Sequence, residues 1–268
     1  MKLAELHRGL PVGGVLELAV SPDDGLDRSG LDDDRLRDLL VGAGFEPLEP
    51  GPETAGPPPA APGRLVAGAR RARTLPDTVG RGMRLLLCGL NPSLYAADVG
   101  VGFARPGNRF WPAALAAGLV TVDRDPDHAL RHHGIGMTDI VKRATVAADE
   151  LTTAEYRSGL ARVERLVRWL RPDGICFVGL AGWRAAVDRR ALPGAQPRGL
   201  GDVPAYVMPS TSGLNARTSL AELTAHLRAA AALARVSRPS RRGGPGTRRR
   251  PTRRRPSTSS TAPPPTGR

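Results

Sequence analysis

The stretch Arg84-Leu85-Leu86-Leu87-Cys88-Gly89-Leu90-Asn91-Pro92-Ser93 constrains this chain more than any other. A short apolar run closed by Gly and Asn-Pro predicts a buried strand that stops abruptly, with Asn91 presented at its carboxyl edge. Open α/β sheets keep their chemistry at that edge. Taken alone, an Asn-Pro after a strand is a turn. Its company changes that reading. Gly102-Phe103-Ala104-Arg105-Pro106-Gly107-Asn108-Arg109-Phe110-Trp111 follows as a Gly/Pro-rich loop with an aromatic in it, then the start of a helix. An Asn beside an aromatic can position a water and a flat ring together.

The rest of the chain alternates strands with helices. Residues 84–88 predict the first core strand, and 134–141 a second extended segment. Thr152-Thr153-Ala154-Glu155 predicts a capping-box start, followed by a helix with Tyr156, Leu160, Val163, Val167 and Leu170 on one face. Residues 174–179 predict a strand, 181–188 a helix, 205–208 a strand, and Ser219-Leu220-Ala221-Glu222 the cap of a final helix to about 234. Phe110, Ala114, Leu115 and Leu119 have helical spacing, so Phe110 and Trp111 are assigned to the core. This alternation implies a mainly parallel sheet covered on both faces, an α/β/α three-layer sandwich.

Ahead of it, 1–49 predicts a small α/β appendage: helix 3–10, strand 15–20, helix 32–41, and an extended piece at 45–48. Residues 50–73 are expected to be a linker, most plainly the Pro/Gly/Ala-rich 50–62. Residues 74–236 form the main domain.

Arginine is abundant and lysine nearly absent, with a formal charge of +13. Ten arginines and no acid fall in 237–268, which leaves +3 on the remainder, so the basicity is mostly a property of the tail. With almost no apolar residues, that tail is expected to be disordered. The two cysteines, Cys88 and Cys176, sit in apolar runs and suit a reducing cytoplasm. They are too few for a four-cysteine cluster from one chain. His132 and His133 have no third ligand at metal spacing, so no metal is expected. No apolar span of membrane length is present, and the first ten residues lack a signal-peptide core; the chain reads as soluble, cytoplasmic and monomeric.

Three segments, Gly89-Leu90-Asn91-Pro92-Ser93, the 102–111 run and Met208-Pro209-Ser210-Thr211-Ser212-Gly213-Leu214-Asn215, together resemble the mismatch-specific uracil/thymine-DNA glycosylases of the uracil-DNA glycosylase superfamily. The resemblance runs from about residue 74 to 233 and implies the same three-layer sandwich. It implies a monofunctional glycosylase of base excision repair. The substrate would be double-stranded DNA with a mismatched or damaged pyrimidine, without cofactor or metal. By the same resemblance Asn91 orients the water, Phe103 stacks on the base, and Gly89, Leu90, Ala96 and Asn108 complete the base pocket. Leu214 is the intercalating wedge, and Ser210, Thr211, Ser212, Gly213, Asn215 and Arg217 contact DNA. Arg217 lies one residue further from the wedge than in some relatives. Residues 1–50 resemble the closing segment of a class I methyltransferase. Residues 1–50 do not carry the Gly-rich strand, loop and helix that hold S-adenosylmethionine, so an appendage without methyl transfer is expected.

The chemistry supports these roles. A base inside a duplex is out of reach, so its nucleotide must be flipped, at a cost of a few kcal/mol that is least at a mismatch. Departure of a uracil anion builds oxocarbenium-like charge, and a neutral amide can hold a water without titrating. An amide cannot take the proton. The sequence after Leu90 offers no carboxylate until Asp98, which predicts slow turnover governed by the leaving group. The alternative is a non-catalytic mismatch- or lesion-binding protein on the same fold.

Overall fold

The computed structural model describes residues 3–20, 33–48 and 65–236. The Pro-rich linker at 50–62 and the arginine-rich tail from 237 lie outside those residues. Among the described residues no helix is long and apolar enough to cross a membrane.

The amino-terminal elements are α1 (Leu3–Gly9), β1 (Val15–Val20), α2 (Asp33–Gly42), β2 (Phe45–Pro47) and β3 (Leu65–Arg71). The strands form an antiparallel sheet in the order β1-β3-β2, with Leu36 and Leu40 of α2 packed with Phe45 and Ala69. This corrects the expected linker over 50–73, because 65–71 are the central strand of that sheet. Leu-Val-Ala-Gly-Ala-Arg-Arg carries no alternating pattern. Its extended state comes from two flanking strands that satisfy its backbone groups, a tertiary cause that local sequence does not encode.

The larger sheet holds β4 (Leu85–Gly89), β5 (Ile135–Asp139), β6 (Ile175–Val178), β7 (Gly194–Ala195) and β8 (Ala205–Met208), in the order β5-β4-β6-β8-β7. The pairs β4–β5, β4–β6 and β6–β8 are parallel, and only β7 runs against β8. The helices are α3 (Leu94–Val99), α4 (Phe110–Ala116), α5 (Pro126–His133), α6 (Thr153–Leu170), α7 (Leu180–Ala186) and α8 (Leu220–Val236). Alternation along β4 divides the core. Leu85 and Leu87 pack with Phe110, Trp111, Leu223 and Leu227 of α4 and α8. Leu86 and Cys88 face Leu160, Val163, Val167 and Trp183 of α6 and α7. The result is the three-layer α/β/α sandwich expected from the sequence.

Helix starts follow their caps. Thr152 Oγ1 accepts from Glu155 N at 3.2 Å while Glu155 Oε2 accepts from Thr152 N at 2.9 Å, and Ser219 and Glu222 repeat the exchange at α8. The chain leaves β4 for β5 on one side and then crosses to β6 on the other. That reversal opens a crevice at the carboxyl ends of the strands.

Candidate active site

A cavity of about 510 Å³ fills that crevice. Gly89, Leu90 and Asn91 border it from the end of β4, Asp139 from β5, Val178 from β6, and Ser210, Thr211, Ser212 and Leu214 from the loop after β8. Ala96, Phe103, Arg105, Asn108 and the segment 145–149 complete the wall. Four parallel strands therefore deliver their ends to one place, and the three motifs separated in sequence meet there.

Asn91 is held by its amide nitrogen. Nδ2 donates to Thr145 Oγ1 at 2.7 Å, Arg143 O at 2.9 Å and Pro92 O at 3.2 Å. Thr145 Oγ1 donates in turn to Ala147 O, so it can only accept from Asn91, which fixes which end of the amide is nitrogen. Oδ1 accepts nothing from the described residues. Arg143 is itself anchored on Glu155 at 2.7 Å. That ion pair, followed by the Thr152 cap, holds the Glu155 carboxyl down at about 2. The capping box of α6 thus steadies the carbonyl that orients Asn91.

Gly89 lies where two side chains converge. A Cβ there would overlap Asp139 Oδ1 and come within 3.4 Å of Phe103 Cζ. Residues 89 and 139 are register partners across the parallel pair, which places the carboxylate beside the β4 terminus. Asp139 is buried, and burial pushes its carboxyl up to about 6; Lys142 and Arg162 oppose that rise and Asp77 adds to it. Phe103 holds a left-handed backbone with φ 59°, unusual for an aromatic residue. Its ring stacks on Phe110 with centroids 4.2 Å apart. Strain of this kind persists only where packing over-determines it.

The loop after β8 is clamped from below. Arg109 donates through its guanidinium to the carbonyls of Thr218, Asn215 and Ser212, while its backbone N donates to Thr211 O. Gly213 rests on Gly107, where a Cβ would sit 2.8 Å from Gly107 O. Asn215 Nδ2 closes the loop on Ser210 O at 2.8 Å. Leu214 stands at the tip, 86% exposed, beside the cavity mouth. An apolar side chain held out on a rigid loop is the opposite of what burial favours.

Several expectations change in detail. Ala96 lines the cavity from α3, where its N donates to the Ser93 cap. Asn108 lines the cavity, its Oδ1 accepting from Phe110 N at 2.9 Å. Thr211 is buried at the cavity wall, and Asn215 binds its own loop through Ser210 O. Arg217, Gly213 and Leu214 are exposed on the loop. The expectation that the site lacks a carboxylate fails. Asp98 pairs with Arg73 on the surface, but Asp139 arrives from another strand. In the sequence it stands inside the extended 134–141 segment, with no role assigned to it. Among the described residues, no group of three or more His, Cys, Asp or Glu is arranged to hold a metal.

Residues 76–234 match the family model described as the uracil DNA glycosylase superfamily. The match spans more than half of the chain and takes in every strand of the larger sheet and every residue of the cavity except Leu75. Its members are DNA-repair hydrolases that cut N-glycosyl bonds of uracil in DNA. The chain belongs to the uracil-DNA glycosylase superfamily.

Proposed function

We propose that this protein is a monofunctional, mismatch-directed glycosylase of base excision repair that removes uracil opposite guanine, and that Asn91 and Asp139 share the attacking water. The supporting observation is the pairing of an amide fixed through Nδ2 with a buried carboxylate in one cavity. With Nδ2 engaged, Asn91 offers only Oδ1, an acceptor that orients a water proton and leaves the water's lone pair for the sugar carbon. Asp139, ionised above about pH 6, takes the proton as the oxygen bonds to that carbon. The glycosidic electrons leave with uracil, whose anion the cavity accepts.

The flipped base stacks on Phe103, a contact worth about 1–3 kcal/mol. Leu214 enters the vacated stack, as apolar wedges do elsewhere. A mismatched pyrimidine is the cheapest base to extract, which supports selection for mismatches. Ala96 presents no group larger than a methyl, which favours some tolerance of 5-substituted pyrimidines, with uracil cut faster.

A panel of duplexes carrying uracil opposite guanine, uracil opposite adenine, thymine opposite guanine, or ethenocytosine tests this reading. Expected are alkali-labile abasic sites without strand cleavage, fastest at uracil opposite guanine. Binding without excision on every duplex would favour the non-catalytic sensor instead.

A further inference from the structure

Behind the cavity lies a charge cluster that the reaction described above does not use. Asp77 accepts from Lys142 Nζ at 2.7 Å and from Arg162 Nη1 at 2.8 Å, and the three side chains are 4%, 10% and 6% exposed respectively. Arg162 Nη2 donates to Asp139 O and to Thr138 Oγ1, both at 2.9 Å, and Thr138 Oγ1 donates to Asp77 Oδ1 at 2.7 Å. Arg162 and Thr138 thereby tie the cluster to the terminus of β5, at Asp139.

The cluster's charges do not balance. Two cations and one anion leave one positive charge out of water, and an uncompensated buried charge is costly. The charged or titratable groups around the Asp139 carboxyl are Lys142 on its own chain segment, Asp77 from the segment before β4, Arg162 from α6, and the Cys88 thiol from β4. Ionised Asp139 offsets part of that charge, although burial outweighs the cations and leaves its carboxyl raised to about 6.

The cluster is roofed by the amino-terminal unit. Asp77 N donates to Gly42 O at 2.7 Å, and a Cβ on Gly42 would lie 2.8 Å from Asp77 Oδ2 and 3.4 Å from Arg162 Nη1. A side chain at residue 42 would have to displace the Asp77 carboxylate. Arg165 of α6 ties the same helix down through Asp38 at 2.6 Å.

We infer that Lys142 and Arg162 are positioning residues that favour the charged form of the Asp139 carboxyl and anchor its backbone, that Asp77 holds the two cations and tempers their effect, and that the amino-terminal unit, by laying Gly42 over them, is a working part of the active site. The inference rests on the reading of Asp139 as the base. Its consequences follow from charge. Loss of Lys142 removes a cation and makes Asp139 harder to ionise, whereas loss of the Asp77 charge leaves both cations to act on it and makes ionisation easier. A methyl on Gly42 pushes the Asp77 carboxylate off Arg162, so it acts in the same direction as loss of Asp77, but more weakly.

The test follows the Asp139 carboxyl by carbon-detected NMR from pH 4 to 8 in full-length wild type, Lys142→Gln, Asp77→Asn and Gly42→Ala, with single-turnover excision over the same range. The midpoint is expected to rise by about one unit in Lys142→Gln and to fall by about one unit in Asp77→Asn. A smaller fall is expected in Gly42→Ala, and the acid limb of excision should move with each midpoint. A purely structural role changes melting temperature and moves no midpoint. Coincident midpoints in wild type and Lys142→Gln would overturn the inference whatever the rates do, and an unmoved midpoint in Gly42→Ala would remove the amino-terminal unit from it. Midpoints that move while excision ignores pH would instead overturn the reading of Asp139 as base and leave the hold on its carboxyl standing.

Discussion

Gly89 and Asp139 face each other across β4 and β5 so closely that a single methyl on residue 89 would occupy the place of Asp139 Oδ1. The same methyl would come into contact with Phe103, so one glycine gives both the Phe103 ring and the carboxylate access to the cavity floor. Gly89→Ala is expected to fold with a loss of about 1–3 kcal/mol from overpacking. Its single-turnover excision should fall by about 100-fold or more, because a displacement near 1 Å is costly at a reacting centre. Thermal melting and excision on a uracil–guanine duplex check the two halves, and wild-type excision in a folded Gly89→Ala protein would place Asp139 outside the reaction.

The Asp139 carboxyl, pushed by burial up to about 6, gives two pH signatures. As a base it must be ionised, so wild-type excision should rise with pH to a plateau above about 6, while Asp139→Asn should be slow and flat over that range. For stability the sign is opposite. A carboxyl whose folded value lies above its unfolded value favours the fold most when protonated, and that contribution is lost as pH rises from about 4 through about 6. Asp139→Asn should therefore be more stable than wild type at pH 7, on the order of 1–3 kcal/mol, and show no such loss. Denaturant titrations at pH 4 and pH 7 measure it.

The cavity residues legible in the sequence are those that sit in locally marked segments. Asn91 ends an apolar run, Phe103 sits in a Gly/Pro loop, and Leu214 follows a Ser-rich turn; each signal is weak alone, but the three in this order marked segments that line one cavity. Asp139 does not, because strand register places it beside Gly89 across fifty residues of chain. Arg109 was equally hidden, since its partners are backbone carbonyls that any sequence supplies. β3 escaped for the related reason that its extended form depends on β1 and β2. The apolar run of β4 and the capping boxes of α6 and α8, which are written locally, were read directly.

Leu214 is almost fully exposed, so Leu214→Ala should leave stability within about 0.5 kcal/mol. It should nevertheless slow excision, and 2-aminopurine opposite the lesion should report less flipping. Arg109→Ala should produce the same DNA phenotype by loosening the loop and should also lower the melting temperature, since three carbonyls lose their donor. Unimpaired flipping in both variants would show that the wedge lies elsewhere.

Ten arginines in 237–268 should add affinity that is indifferent to the lesion and steep in salt. Removing 237–268 is expected to weaken binding to undamaged DNA and flatten the slope of log affinity against log salt, with single-turnover excision at saturating enzyme nearly unchanged. Identical slopes with and without the tail would show that it makes no phosphate contacts.

Asn91 carries the central claim, because its amide is held by Thr145 and Arg143 in the one orientation that leaves Oδ1 for water. The most direct measurement is single-turnover excision of uracil opposite guanine by Asn91→Ala, alongside its affinity for the same mismatched duplex. The account predicts excision reduced by about 100-fold or more with affinity within a few-fold of wild type, a loss confined to the transition state. Excision at the wild-type rate would contradict it.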